Sequence, residues 1–100
     1  MSKKGILSGV RVVDLTRMLS GPYATMVLAD HGAEVIKIED DKGDSSRFNG
    51  PYVDSDKDQK WAGYFISLNR NKKSVQLNLK TSKGREEFLG LIRTADILVE

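Results

Sequence analysis

Two β-branched runs, Val10 to Leu15 and Ala33 to Glu39, with a helical stretch between them, leave this chain few folds to choose from. Val10, Val12, Val13 and Leu15, broken by Arg11 and Asp14, predict a first strand. The alternating run Ala-Glu-Val-Ile-Lys-Ile-Glu predicts a second. Between them, Gly21-Pro22 opens a helix over Tyr23 to His31, because proline is favoured in a first turn, where its missing N–H costs nothing. Ala24, Val27, Leu28 and His31 fall at helical spacing as its apolar stripe, and Gly32 suits the left-handed residue after the last turn. A strand–helix–strand unit of about 30 residues implies parallel strands and a right-handed crossover. The loop from Leu15 to Pro22 then lies at the carboxyl end of a strand, where open α/β sheets bind ligands.

The remainder continues the same alternation of elements. Asp40 to Gly63 is polar, carries Gly43, Gly50 and Pro51, and has no sustained period, so it predicts a long functional or mobile loop that Phe48, Tyr52 and Trp61 pack down in places. Tyr64 to Leu68 is apolar and is expected to be extended, followed by a polar turn over Asn69 to Lys73. Ser74 to Leu79 alternates and predicts another strand. Thr81 or Ser82 can cap a helix that places Glu86 and Glu87 near its positive end and buries Phe88, Leu89 and Ile92. Ala95 to Val99 predicts a final strand, and a buried parallel strand needs cover on both faces, so the expectation is the N-terminal piece of something longer.

Composition narrows the function. There is no cysteine, hence no disulfide framework, thiolate chemistry or Cys-based metal site. No apolar run approaches the ~20 residues of a membrane span, and Ile6-Leu7 is too brief for a signal-peptide core. A cytoplasmic location is expected, or the mitochondrial matrix in a eukaryote. The net charge of +2 conceals an uneven distribution: Glu39 to Asp58 is rich in acids, whereas Lys60 to Arg85 holds Lys60, Arg70, Lys72, Lys73, Lys80, Lys83 and Arg85 and no acid. That segment is either a solvated surface or one that faces a polyanion.

No constellation names a reaction. Glu39 stands where an acid can bind a ribose hydroxyl, but the first loop has no Gly-x-Gly-x-x-Gly fingerprint for pyrophosphate. His31, the single histidine, suits a helix C-terminus better than catalysis. Asp14 reads as a buried hydrogen-bonding residue rather than a general base, and Gly43-Asp44 with Arg47 as a turn closed by an ion pair or a ligand contact. No nucleic-acid-binding motif interrupts or flanks the basic segment.

Taken in order, however, the blocks match a family. Gly9 to Arg17 followed by Gly21-Pro22, then Leu28 to Glu39, Gly43 to Arg47, Tyr64-Phe65 with Asn69 to Val75, Leu77 to Lys80, and Ala95 to Glu100 resemble the class III CoA-transferases, whose relatives include α-methylacyl-CoA racemases. The resemblance implies an α/β, Rossmann-like large domain, of which residues 1–100 form the N-terminal part, with a small domain elsewhere and two interlinked subunits in a homodimer. It implies CoA transfer from an acyl-CoA to a carboxylate acceptor through an aspartyl-CoA thioester, with coenzyme A as substrate and no permanently bound cofactor, metal, nucleic acid or membrane. The family's catalytic aspartate matches no residue of this chain. Its CoA contacts fall on Leu19 and Ser20 before Gly21-Pro22, and on Leu77, Asn78, Leu79 and Lys80. Lys80 suits a nucleotide phosphate as a mobile point charge. Leu19 and Asp40 stand where the formyl-CoA branch has glutamine and arginine, which counts against formyl-CoA/oxalate specificity, and Asn69 to Val75 leans toward the branch acting on succinyl and glutaryl groups. The alternatives are an acyl-CoA racemase and a non-catalytic nucleotide-binding module.

Overall fold

The computed structural model describes residues 5–58 and 61–100. They form β1 (Arg11–Asp14), α1 (Ser20–Asp30), β2 (Glu34–Glu39), a 3-10 turn (Ser45–Phe48), α2 (Gly63–Asn69), β3 (Lys72–Gln76), α3 (Ser82–Arg93) and β4 (Ile97–Val99). The strands make one parallel sheet in the order β3-β2-β1-β4. The chain therefore winds outward from β1 to β3 and then crosses back to place β4 on the other side of β1. The α/β reading holds. The direction of winding reverses between β1 and β4, and in open α/β sheets the carboxyl-end crevice at such a point is where ligands collect.

Alternation along the strands separates two cores. Val13, Ile36, Ile38 and Leu77 face α3, where Phe88, Leu91 and Ile92 pack on them, joined by Ala95 just after the helix. Val12 and Val35 face α1 and meet Ala29 and Ala33. The β2 strand has neighbours on both sides and cover on both faces, so every residue from Val35 to Glu39 is buried.

Several local expectations are met and others are corrected. Gly32 has φ +105° after His31, as the helix end requires, and the His31 ring bonds the Val27 carbonyl oxygen through Nδ1 at 2.8 Å. The buried face of α1, however, is Pro22, Thr25, Met26 and Ala29 rather than the stripe expected over Ala24, Val27, Leu28 and His31. Thr25 enters the core because its hydroxyl has a buried partner in Asp14. Tyr64 to Leu68 is helical, not extended. A short apolar run does not distinguish the two, and here Ala62, Phe65 and Leu68 share the buried face while Asn69 Nδ2 donates to Phe65 O at 2.9 Å to close the helix.

The next strand begins earlier than expected, at Lys72, and ends at Gln76, with Asn71 at φ +68° making the junction. Leu77 N still donates to Glu39 O at 2.9 Å, after which Leu77 turns into the core and the chain leaves the sheet. Thr81 caps α3 by accepting from Gly84 N at 3.0 Å, yet the first turn carries no acid, and Leu89 is exposed while Leu91 takes the inward position. No helix among the described residues is long and apolar enough to cross a membrane.

Candidate functional site

The face of the sheet under α1 and α2 changes character along the strands. It begins with Val12 and Val35 and continues, at every second residue, into Asp14, Lys37, Glu39, Lys72 and Ser74. The side chains of Asp14, Lys37, Glu39 and Lys72 thus form a buried polar layer on this face, with Ser74 at its exposed edge. Asp14, fully buried, accepts from Thr16 N at 2.7 Å, from the Thr16 hydroxyl and from Thr25 Oγ1 at 2.7 Å, and pairs with Lys72 at 3.0 Å. Burial pushes its carboxyl up, but the Thr16 and Thr25 hydrogen bonds and the Lys72 charge outweigh that and hold it below the ordinary range. Burial lowers the Lys72 ammonium, and Asp14 offsets part of the effect. The ammonium also donates to Asn69 Oδ1 at 2.7 Å and Pro22 O at 3.1 Å.

One step along, Lys37 Nζ pairs with Asp44 at 2.7 Å and donates to Thr16 O at 2.9 Å. Asp44 caps the 3-10 turn by accepting from Ser46 N at 2.9 Å. Arg47, within that turn, clasps Glu39 through both carboxylate oxygens at 2.8 and 2.9 Å, and its guanidinium lies 3.7 Å from the centre of the Phe65 ring and 5.2 Å from that of Trp61. Glu39 also accepts from Asp44 N at 2.7 Å and from the Ser74 hydroxyl. Burial would raise its pKa; Arg47, Ser74 and Asp44 N–H prevail and lower it to about 2. The turn expected at Gly43-Asp44-Arg47 exists and is closed by Arg47 N donating to Asp44 O at 3.0 Å, but the two charged side chains pair with β2 rather than with each other. Glu39 is committed to these partners, which removes it as a ribose ligand.

The long segment after Asp40 is therefore pinned at its start. Tyr52 OH donates to Arg47 O at 2.8 Å, and Gly63 N donates to Pro51 O at 2.7 Å, while Phe48 stays exposed. None of these buried charges is signalled by a local motif. The available clue is that Val35, Lys37 and Glu39 share a face, so a strand read as half-buried carries charge into a core.

The loop between β1 and α1 runs over this layer. Thr16 is buried beneath it, and Gly21 admits it, since a Cβ at Gly21 would meet Thr16 Cβ at 2.5 Å. Met18 adopts φ +72°, unusual for a side chain with a Cβ. Leu19 precedes α1, Ser20 begins it, and both are exposed at the carboxyl edge of the sheet. A cavity of about 160 Å³ opens on the same edge, lined by Leu15, Arg17, Ile38, Glu39, Asp40 and the run Leu77 to Lys80. The structure thus gathers Leu77, Asn78, Leu79 and Lys80 on one cavity together with Arg17, which sequence reasoning did not single out. Leu19 and Ser20 lie further along the loop and do not line it.

The basic segment divides into two sets. Arg70 pairs with Asp30, Lys72 with Asp14 and Lys73 with Glu34, so these bases serve the fold. Lys60 lies outside the described residues. Lys80 and Lys83 form no ion pair among the described residues, and Arg85 reaches the carbonyl oxygens of Leu79 and Lys80 at 3.3 Å each. The bases of this segment that form no ion pair among the described residues lie at this corner, where β3 hands over to α3. Arg17 sits opposite, 3.4 Å from Asp40. No group of three or more His, Asp or Glu capable of holding a metal occurs among the described residues.

Comparison with known proteins gives one answer. The model of CoA-transferase family III matches residues 7–100. The chain is 50% identical over 96 residues to a succinyl-CoA:mesaconate CoA-transferase of Haloarcula marismortui, covering 96% of this chain and 24% of that protein. It is 47% identical over 96 residues to the succinyl-CoA:glutarate CoA-transferase of Mus musculus, covering 94% and 21%. A crystal structure of a CaiB/BaiF family protein from Brucella suis superposes with a TM-score of 0.86 at 37% identity, covering 96% of this chain and 25% of that one. The chain therefore spans about a quarter of the length of the relatives it matches.

Proposed function

Because the chain belongs to CoA-transferase family III, we propose that it supplies part of the coenzyme A site of an enzyme that moves CoA from an acyl-CoA donor to a carboxylic acid acceptor. The observation that carries this reading is the carboxyl-edge cavity, whose rim presents the ammonium of Lys80, without an ion-pair partner among the described residues, beside Leu77, Asn78 and Leu79. A nucleotide bearing phosphates finds apolar walls there for its base and a point charge for its phosphate. Leu19 and Ser20 form the second lip of the cleft, at the point where the sheet reverses its winding.

The chemistry itself requires a carboxylate nucleophile. Its oxygen attacks the thioester carbonyl and expels CoA thiolate, leaving a mixed anhydride. The thiolate then attacks the enzyme's side of that anhydride, releasing the donor acid and forming an aspartyl-CoA thioester, from which the acceptor takes CoA by the reverse steps. No aspartate of this chain is assigned that role. Asp14 and Asp44 are locked in buried ion pairs and lack access to a thioester. The nucleophile belongs to the part of the enzyme beyond this N-terminal portion of the Rossmann-like domain, and the complete protein works as an interlinked homodimer. Coenzyme A enters and leaves as substrate. The names of the two relatives and the run Asn69 to Val75 favour a dicarboxylic acyl group such as succinyl.

The test is to incubate the full-length protein with succinyl-CoA and a panel of mono- and dicarboxylic acids and to identify acyl-CoA products by mass spectrometry. The expected result is a new dicarboxyl-CoA, with one succinate released per product formed. Hydrolysis alone, or α-carbon epimerisation of an acyl-CoA without exchange, contradicts the reading.

A further inference from the structure

Lys37 occupies a position that a stability-driven sequence fills with an aliphatic residue. It lies in the middle of β2 between Ile36 and Ile38, and its side chain is 1% exposed. Removing an ammonium from water is costly, and a buried Lys–Asp pair recovers that cost only with good geometry and further hydrogen bonds. The bonds Lys37 makes are to two loops rather than to the core. Its Nζ reaches Thr16 O at 2.9 Å, in the β1–α1 loop, and Asp44 at 2.7 Å, the cap of the 3-10 turn.

Thr16 is thereby fixed from both sides, its N–H by Asp14 and its C=O by Lys37. The residues after Thr16 need such an anchor. Met18 is held at φ +72°, a left-handed conformation that strains a residue bearing a Cβ. Leu19 provides no side-chain cap to α1, and Met18 and Leu19 are exposed. Among the described residues the loop has further ties in Arg17 to Asp40 at 3.4 Å, Tyr23 N donating to Leu19 O at 2.9 Å, and Ser45 Oγ to Met18 Sδ at 3.1 Å; Ser45 belongs to the same 3-10 turn that Lys37 secures through Asp44. A single buried ammonium thus sets the β1–α1 loop against the turn after β2.

We propose that Lys37 is a positioning residue for acyl-CoA binding: without touching the ligand, it holds the Thr16–Ser20 loop in the conformation that places Leu19 and Ser20 at the cleft. The proposal rests on the CoA reading of that cleft. It is tested in the full-length protein with Lys37→Met, and with Lys37→Met/Asp44→Asn, which removes both charges and leaves an oxygen to cap the turn. CoA binding is measured by calorimetry, where the dissociation constant and the binding stoichiometry separate. The expected result is a dissociation constant raised about tenfold in both variants with the stoichiometry unchanged. A merely structural role lowers the stoichiometry, by depleting folded protein, and leaves the dissociation constant alone; that result overturns the proposal. Lys80→Ala is measured in parallel. If Lys80→Ala weakens binding and the Lys37 variants do not, the positioning role fails and the CoA reading stands; if none of the variants weakens binding, both fail.

Discussion

At the scale of single residues, the carboxyl edge is held by charges that have no solvent to fall back on. Glu39 is the clearest case, because Arg47, Ser74 and the Asp44 N–H lower its pKa from 4.5 to about 2. A carboxylate depressed on folding contributes stability above its unfolded pKa, and that contribution disappears as protons return. The protein should therefore lose stability as pH falls from about 4.5 toward 2, and Glu39→Gln should flatten that dependence while lowering stability at neutral pH. Denaturant melts at a series of pH values check this, and an unchanged slope contradicts it. Residues whose signal is local were legible from the chain alone: Pro22 in the first turn of α1, Gly32 after its end, and Thr81 as the cap of α3. Lys37 and Lys72 were not, because a lysine announces burial only through a partner, and theirs are Asp44 and Asp14, supplied from other stretches of chain.

Among the elements, the relation between α3 and the turn before it bears most directly on function. Gly84 packs so closely that a Cβ there would lie 1.9 Å from Asn78 O, inside the cavity-lining run. Gly84→Ala must displace either the helix or the turn, at a cost of about 2 kcal/mol. Thermal unfolding should register that loss, and CoA affinity should fall with it; a variant as stable as the parent would mean that α3 is free to shift. Elements with a sustained period, β1, α1, β2 and α3, were read correctly in type, though the buried faces of α1 and α3 were each partly misassigned. The α2 helix was not, since an apolar run as short as Tyr64 to Leu68 lacks the length to reveal its period. The Asp40–Gly63 segment read as irregular, and its 3-10 turn emerges only because Lys37 and Glu39 bind Asp44 and Arg47 from the strand beneath.

For the molecule as a whole, the described residues gather several loops at one edge of a parallel sheet, and the proposed CoA site stands or falls with that edge. The parallel order β3-β2-β1-β4 brings the loops after β1, β2 and β3 to a single edge. The cations divide accordingly, with Arg70, Lys72 and Lys73 spent on the fold and Lys80 left facing outward. Leu77 to Lys80 drew on family resemblance more than on spacing, since a turn that buries Leu77 and exposes Asn78 and Lys80 is too short to carry a periodic signal. Their common cavity is a property of the folded sheet. The most direct measurement is a calorimetric titration of CoA into the full-length protein and its Lys80→Ala variant. The parent protein should bind, and the substitution should raise the dissociation constant about three- to tenfold, with the loss shrinking as salt is added. Equal affinity in the two proteins, with both folded, contradicts a CoA site at this edge.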